Sequence, residues 1–481
     1  MLYAGQQILR GQAPYVGVTI VKLPVSPFVA AAGIAVGRAF GIDDIVAGRL
    51  AFWLCASVSV GAVFVLGATL LKPARSAMIA SRETSQVLSA LAGSLAAAFL
   101  LSFQTFGIQV AEGPEAKFPM VCAGMLCLVL LAREQFFWAG IASALSFMAW
   151  QPGLIFILAT TLAAIFFSAT RQRALRDALL GIAIPILLLG VYLAFQGALA
   201  SMFRQTFGAN ANYLGDKKVA TGILSVLAEN VLKVWNVSLE CSWTETPFVL
   251  LGELGMVAGI LFFAVRFWKT RDAKFFLGAF PLVVSGAALF GFSLLDIQKC
   301  SDLVPLLPYL ALGATFPLIS LISLFAKKDV RAAFALGGLV LVVVLLYGTR
   351  DAFTSPRQNG LPQQRALAHE IAARLQASDR VQQFGDTVLL VVTQRENATR
   401  FVHLGEKQGI GILNAEGITL NALVAQLQQA NPRVITLSRA KDKIWAAPLY
   451  AWIEKNYTLQ SSYGASEGGT QRETDVWWRN Q

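Results

Sequence analysis

The chain has 481 residues, 56% of them hydrophobic and only 14% charged, with a formal net charge of +11 and a mean hydropathy of +0.60. Soluble domains carry about a quarter charged residues, so the composition excludes an ordinary soluble globule and points to a polytopic helical membrane protein. The positive charge lies mostly in short loops, which makes it a topology signal rather than a nucleic-acid footprint. The two histidines, His369 and His403, have no partner at metal-ligand spacing, which argues against a zinc site.

Leu2–Phe28 (LYAGQQILRGQAPYVGVTIVKLPVSPF) is too polar and too broken by Gly and Pro to cross a bilayer. Met1 is followed by neither a basic region nor an early apolar core, so no cleavable signal peptide is read there. Tyr3 and Ile8 fall on one face of a short helix ended by Gly11. Pro14-Tyr15 then turns the chain, and Lys22 precedes Pro24. Residues 24–40 either span the membrane or lie at its surface, and Pro24, Pro27 and Arg38 favour the surface.

Beginning near Ile45, about ten spanning segments follow: 47–71, 85–107, 118–132, 136–150, 154–168, 178–200, 246–268, 275–296, 303–325 and 332–349. The three between 118 and 168 are shorter than the usual span of about 20 residues. Alternate loops hold the basic residues: Lys72, Arg75 and Arg82; Arg171, Arg173 and Arg176; Arg266, Lys269, Arg271 and Lys274; Lys327, Lys328 and Arg331. These loops are expected on the cytoplasmic side. The other side then carries residues 2–40, 108–117, 204–245 and 297–302 and everything after 350. Met1 lies on that outer side with no helix ahead of it, so either 24–40 spans or a preceding transmembrane helix is absent from this sequence. Within the long outer loop, Ile223–Trp235 has helical periodicity and is expected to lie along the membrane surface. Cys55, Cys122 and Cys127 sit in apolar runs as packing residues, and a Cys241–Cys300 bridge between outer loops is left open.

After Tyr347 a polar linker leads into an α/β pattern: helices 364–376, 420–429 and 445–455, and strands 387–393, 433–437 and 475–479. The fold expected is an all-α polytopic membrane domain followed by a small C-terminal α/β soluble domain, divided as 1–46 (outer loop and interfacial helices), 47–349 (transmembrane domain) and 350–481 (outer α/β domain). The tail has no GxGxxG or Walker-type loop, so no nucleotide site is read there.

Three outer features carry charge suited to chemistry. The first loop holds Tyr3, Arg10, Tyr15 and Lys22. VAEGPEAKF places Glu112 and Glu115 between two apolar helices, with Glu115 at the mouth of the second, where a carboxylate suits the positive helix end. DIQKCSDLVPLLPY brings Lys299 and Asp302 to a short loop. Each alone is equally readable as a cap, a lipid-headgroup anchor or a solvated loop.

Together these stretches resemble the bacterial GT-C membrane glycosyltransferases, the group of protein O-mannosyltransferase-like, aminoarabinose-transferase-like and rhizobial lipopolysaccharide glycosyltransferase-like enzymes. The resemblance runs through the Tyr3–Leu9 helix, the Gly11–Tyr15 turn, Lys22–Pro24, Phe40-Gly41 with Arg49, GPEAKFPM, and KCSDLVPLLPYLAL. It implies transfer of a sugar from a polyprenyl-phosphate donor to a glycan, lipid or protein acceptor, at the periplasmic face of a bacterial inner membrane. Glu115 and Glu112 would serve as catalytic carboxylates. Lys22, Arg10, Arg204 and Lys299, in falling order, would bind the donor phosphate, and Tyr3, Tyr15 and Asp302 would shape the substrate loops. Some relatives use a divalent metal and others do not, so no cofactor is assigned. The family's carboxylate at the outer end of its first transmembrane helix would fall about where Met1 stands. Gly17 takes a position that is often acidic, and Lys22-Leu23-Pro24 replaces K-P-P. Two rival readings therefore stay open: a non-catalytic member or scaffold, and a transporter or flippase. The spans are nearly free of central charge and show no internal repeat, which disfavours the transporter.

Overall fold

The structure is a computed structural model, and it describes residues 1–71, 82–209, 246–270, 273–293, 300–326, 329–354, 361–385, 387–402, 407–438, 446–467 and 470–480. The helix predicted at 223–235 and the Cys241–Cys300 pairing lie outside the described residues. By packing, the chain forms two compact units: Met1–Ala51 with Leu189–Gly222 and Arg357–Gln481, and Phe52–Leu188 with Ile223–Pro356.

Among the described residues seven helices are long and apolar enough to cross a membrane: Asp44–Leu70, Thr84–Ser102, Arg171–Phe195, Pro247–Val265, Phe276–Ser293, Leu307–Ala326 and Val330–Gly348. Three shorter apolar helices, Lys117–Ala132, Phe136–Ala149 and Leu154–Phe166, have 16, 14 and 13 residues. All ten fall on the ten predicted segments. The protein is a multi-pass membrane protein. Its outer helices expose side chains that water would penalise, such as Phe195 at 89% and Trp268 at 84%, and lipid tails accept them.

With lipid as solvent, helix pairs are held by close packing and internal hydrogen bonds rather than by the hydrophobic effect. In the second unit Thr246–Thr270 crosses Leu307–Ala326 so closely that a Cβ built on Gly313 would lie 2.3 Å from the Gly252 carbonyl oxygen. Polar side chains inside the bundle bond to neighbouring helices: Ser102 Oγ donates to Val344 O (2.9 Å), Ser146 Oγ to Met120 O (2.8 Å) and Tyr309 Oη to Ser285 Oγ (2.8 Å).

In the first unit, α1 (Leu2–Leu9), α2 (Val25–Ala39) and the first turns of α3 (Asp44–Leu70) pack through small residues. A Cβ on Gly37 would meet that of Ala47 at 2.1 Å. At 15 residues, α2 is about 22 Å long, short of a bilayer core of about 30 Å. Asp43 caps α3, its Oδ1 accepting from the N–H of Ile45 (3.0 Å) and Val46 (3.2 Å). Asp44, almost buried, takes a two-pronged bond from Arg38 (2.9 and 2.6 Å) and one from Gln6 Nε2 (2.7 Å). The FGIDD run thus ties the three helices together.

The C-terminal part of this unit is a four-stranded mixed sheet in the order β1-β2-β4-β3: Val381–Phe384, Val434–Ser438, Thr470–Arg479 and Tyr457–Glu467. Val381 pairs with Val434 in parallel, and β2 with β4 and β3 with β4 run antiparallel. Helices Leu361–Arg374, Leu420–Ala430 and Ala447–Asn456 stand close to their predicted places. Thr419 caps the second of them through Ala422 N–H (3.2 Å), and Asn431 ends it with φ +49°.

One predicted element is corrected. Residues 387–393 are not a strand: Val388–Thr393 is a helix. The run VLLVVT suits either state, and local bonds decide for helix. Gln383 Oε1 accepts from Leu390 N–H (3.1 Å), Gln6 Nε2 donates to Val391 O (3.0 Å), and Gln394 closes the turn at φ +52°. The strand beside it is Val381–Phe384, and β3 and the Lys407–Ala415 helix are further elements that the pattern did not announce.

Val21 of the first loop and Ala209 lie in the same buried cluster as Phe384, Phe401, Leu423, Leu427, Ile435 and Trp477. The C-terminal fold therefore draws core residues from two distant stretches.

Replacing Gly313 by Leu should lower stability by about 2 kcal/mol or more, since backbone must move. Gly338→Leu, where nothing lies within 4 Å of a built Cβ, should change it little. Thermal unfolding of both variants in lipid nanodiscs measures the difference.

Candidate functional site

The first loop is held in one shape by a set of bonds to its own backbone and to distant stretches. α1 ends at Gly11 with φ +81°, and the chain turns through Gln12–Val18. Tyr15 is fully buried and has φ +69°, a left-handed conformation that costs a non-glycine residue about 1–2 kcal/mol. Two contacts hold it there. Its hydroxyl donates to the Lys22 carbonyl (2.8 Å), and its own carbonyl accepts from Gln205 Nε2 (2.8 Å). Tyr15 is thus the strut that sets the backbone at Lys22, whose side chain is half-buried.

Gln205 sits in the π-helical turn Arg204–Gly208 and is fully buried. Its Oε1 accepts from Ile20 N–H (2.9 Å), and its Nε2 also donates to Glu416 Oε1 (2.9 Å). Glu416, 3% exposed, takes Arg204 Nη2 (3.3 Å) and Arg400 Nη2 (3.1 Å) on its other oxygen. Thr19 completes the seam: its N–H donates to Arg400 O (2.9 Å) and its Oγ1 accepts from Val402 N–H (3.3 Å).

Of the phosphate-binding residues predicted from sequence, Lys22 and Arg204 belong to this seam, whereas Arg10 Nη2 donates to the Gln394 carbonyl. Arg204 is already ion-paired. Tyr3 accepts from Asn397 N–H (2.8 Å) and is nearly buried, which pushes its hydroxyl up to about 12. Lys299 lies outside the described residues.

The remaining predicted residues belong to the second unit. Gly113 breaks the helix that ends at Glu112, and the next begins at Lys117. Glu115 stands in the intervening turn, partly exposed, and among the described residues no side chain pairs with its carboxylate. Lys117 bonds to Asp302 (3.1 Å; 9% and 27% exposed) and lies 5.6 Å from the centre of the Trp150 ring. The GPEAKF turn and the Cys300–Leu303 turn are therefore neighbours. Among the described residues no three His, Cys, Asp or Glu side chains gather as metal ligands.

Sequence reasoning missed Gln205 and Glu416. Both look like ordinary polar loop residues, and only burial reveals them.

No family model matches the chain, and no curated protein matches it. Among solved structures it is similar to ArnT from Cupriavidus metallidurans bound to undecaprenyl phosphate, with 11% identity, TM-score 0.53, and coverage of 98% of this chain and 92% of that one. The apo state of the same protein gives 12% identity and TM-score 0.49 over 98% and 91% of the two chains. The Archaeoglobus fulgidus oligosaccharyltransferase, in complex with Zn and sulfate, gives 13% and 0.49 over 97% and 67%. The chain has the fold of that ArnT over nearly its whole length, the kind of fold that the sequence resemblance implied. At this level of identity the likeness is one of architecture.

Two outcomes follow. Asp302→Asn removes the carboxylate that Lys117 reaches and should cost about 1 kcal/mol, since Asp302 is partly solvated; adding Lys117→Met should recover part of it, as read by chemical denaturation of the three variants. For Tyr3, ionisation lies near 10 in the unfolded chain and higher when folded, so the neutral phenol's stabilisation is complete below pH 10 and lost as pH rises toward 12. The stability difference between wild type and Tyr3→Phe, about 1 kcal/mol at neutral pH, should shrink over that interval.

Proposed function

We propose that the protein transfers a sugar from a polyprenyl-phosphate donor to a glycan, lipid or protein acceptor on the periplasmic side of a bacterial inner membrane. The observation that carries this reading is a GT-C fold, matched over nearly the whole length of an ArnT that binds undecaprenyl phosphate, in which a buried and strained Tyr15 fixes Lys22. The alternation of basic loops in the sequence supports a non-cytoplasmic position for the first loop, Glu115, Asp302 and the C-terminal fold.

The chemistry asks for little else. A carboxylate, Glu115 first and Glu112 second, takes the proton of the acceptor hydroxyl. The oxygen attacks the anomeric carbon from the face opposite the phosphate, so the new C–O bond forms as the bond to the phosphate oxygen breaks and the configuration inverts. The polyprenyl phosphate leaves with the bonding electrons, and fixed cations offset its charge. Lys22 leads among these cations because the buried Tyr15 hydroxyl, bonded to its carbonyl, fixes its place in the chain. That no side chain among the described residues pairs with the Glu115 carboxylate suits a base that must meet a substrate proton.

Transfer from a labelled polyprenyl-phosphate sugar tests the reading. Glu115→Gln should lower kcat by about 10²–10⁴-fold, and Lys22→Ala should raise the donor KM by about tenfold or more. Equal turnover by Glu115→Gln would remove that residue from the mechanism. A wild-type protein that binds no donor would favour the non-catalytic alternative.

A further inference from the structure

Glu416 is out of place for a residue with no task. It follows the Lys407–Ala415 helix, and Gly417 turns the chain there with φ +69°. A carboxylate at a helix C-terminus meets the negative end of the dipole, and at 3% exposure Glu416 has also given up its water. Both costs are offset by one arrangement: Gln205 on one oxygen, Arg204 and Arg400 on the other. Each of these partners leads to the donor-side machinery. Gln205 holds both ends of the Tyr15–Ile20 turn, through Tyr15 O and Ile20 N–H. Arg400 presents its backbone carbonyl to Thr19 N–H. Arg204 is one of the cations assigned above to the phosphate.

We propose that Glu416, though it lies in the C-terminal fold, is a positioning residue for donor binding, an inference that rests on the glycosyltransferase reading. It touches no substrate. It fixes the first loop through Gln205 and Arg400, and it sets the direction of the Arg204 guanidinium. The C-terminal fold thereby contributes to the donor site by supplying one buried charge rather than by covering the site.

The test separates the loop from the ligand. Hydrogen exchange of the peptide carrying the Thr19 and Ile20 amides reads the anchor without any substrate, and binding of undecaprenyl phosphate to the full chain in nanodiscs reads the consequence. Glu416→Ala should speed exchange about tenfold, the worth of one charge-assisted bond. Gln205→Ala should do the same, and the double variant no more than either single one. Glu416→Gln keeps an acceptor for Gln205 and should hold exchange within about twofold of wild type, while binding weakens because Arg204 loses the carboxylate that sets the direction of its guanidinium. That split distinguishes positioning from general loss of fold, which would move both readings together. Unchanged exchange in Glu416→Ala overturns the inference whatever the lipid does. If wild type binds no undecaprenyl phosphate, the donor reading is overturned, and faster exchange in Glu416→Ala would still establish the carboxylate as the anchor of the loop.

Discussion

A single buried amide joins three stretches that are far apart in sequence. Gln205 has two N–H groups and one carbonyl oxygen to satisfy, and it satisfies them on Tyr15, Glu416 and Ile20. A buried amide left unpaired costs about 1–3 kcal/mol for each group, so the arrangement is close to all-or-none: losing one partner strands the others. The same constraint makes the left-handed Tyr15 tolerable, because its carbonyl and its hydroxyl are both fixed from outside the turn. Strain of this kind persists only where the surroundings over-determine it.

The membrane part obeys a different rule. No water is available to repay an unmade bond and no hydrophobic effect drives helices together, so cohesion comes from contact distance. The crossing at Gly252 and Gly313 leaves no room for a side chain, and hydroxyls such as Ser102 and Tyr309 find acceptors on adjacent helices. The helices are apolar on nearly every side, which is why their amphipathic signal is weak while their hydropathy is unmistakable.

That contrast explains what could be read in advance. The ten apolar helices were legible because each is an apolar run, seven of them long enough to span, and basic residues mark alternate loops. The first loop was legible because Gly11, Pro14-Tyr15 and Lys22 form a distinctive series, whereas the nearness of the Lys117 and Asp302 turns was not announced. The C-terminal sheet was only half legible. β1 is VQQF, with Gln382 and Gln383 fully buried, so polarity hid a core strand; β3 is a polar edge strand with no alternation to read. VLLVVT has strand-like residues but becomes a helix once Gln383, Gln6 and Gln394 act on it. Glu416 and Gln205 were invisible for the same reason. A buried polar residue is defined by its partners, and all of these but Arg400 lie 185 to 212 positions away.

The entry of Val21 into the C-terminal core has a consequence for how the chain is made. The first loop leaves the ribosome early, yet Thr19 and Tyr3 meet partners 381 and 394 residues later. At about 5–20 residues per second, the loop waits on the order of tens of seconds with its apolar side chains and strained turn unsupported. This segment settles only after the C-terminal fold has emerged, so an interrupted translation product would display the loop as an unfinished, adhesive surface for quality control to find.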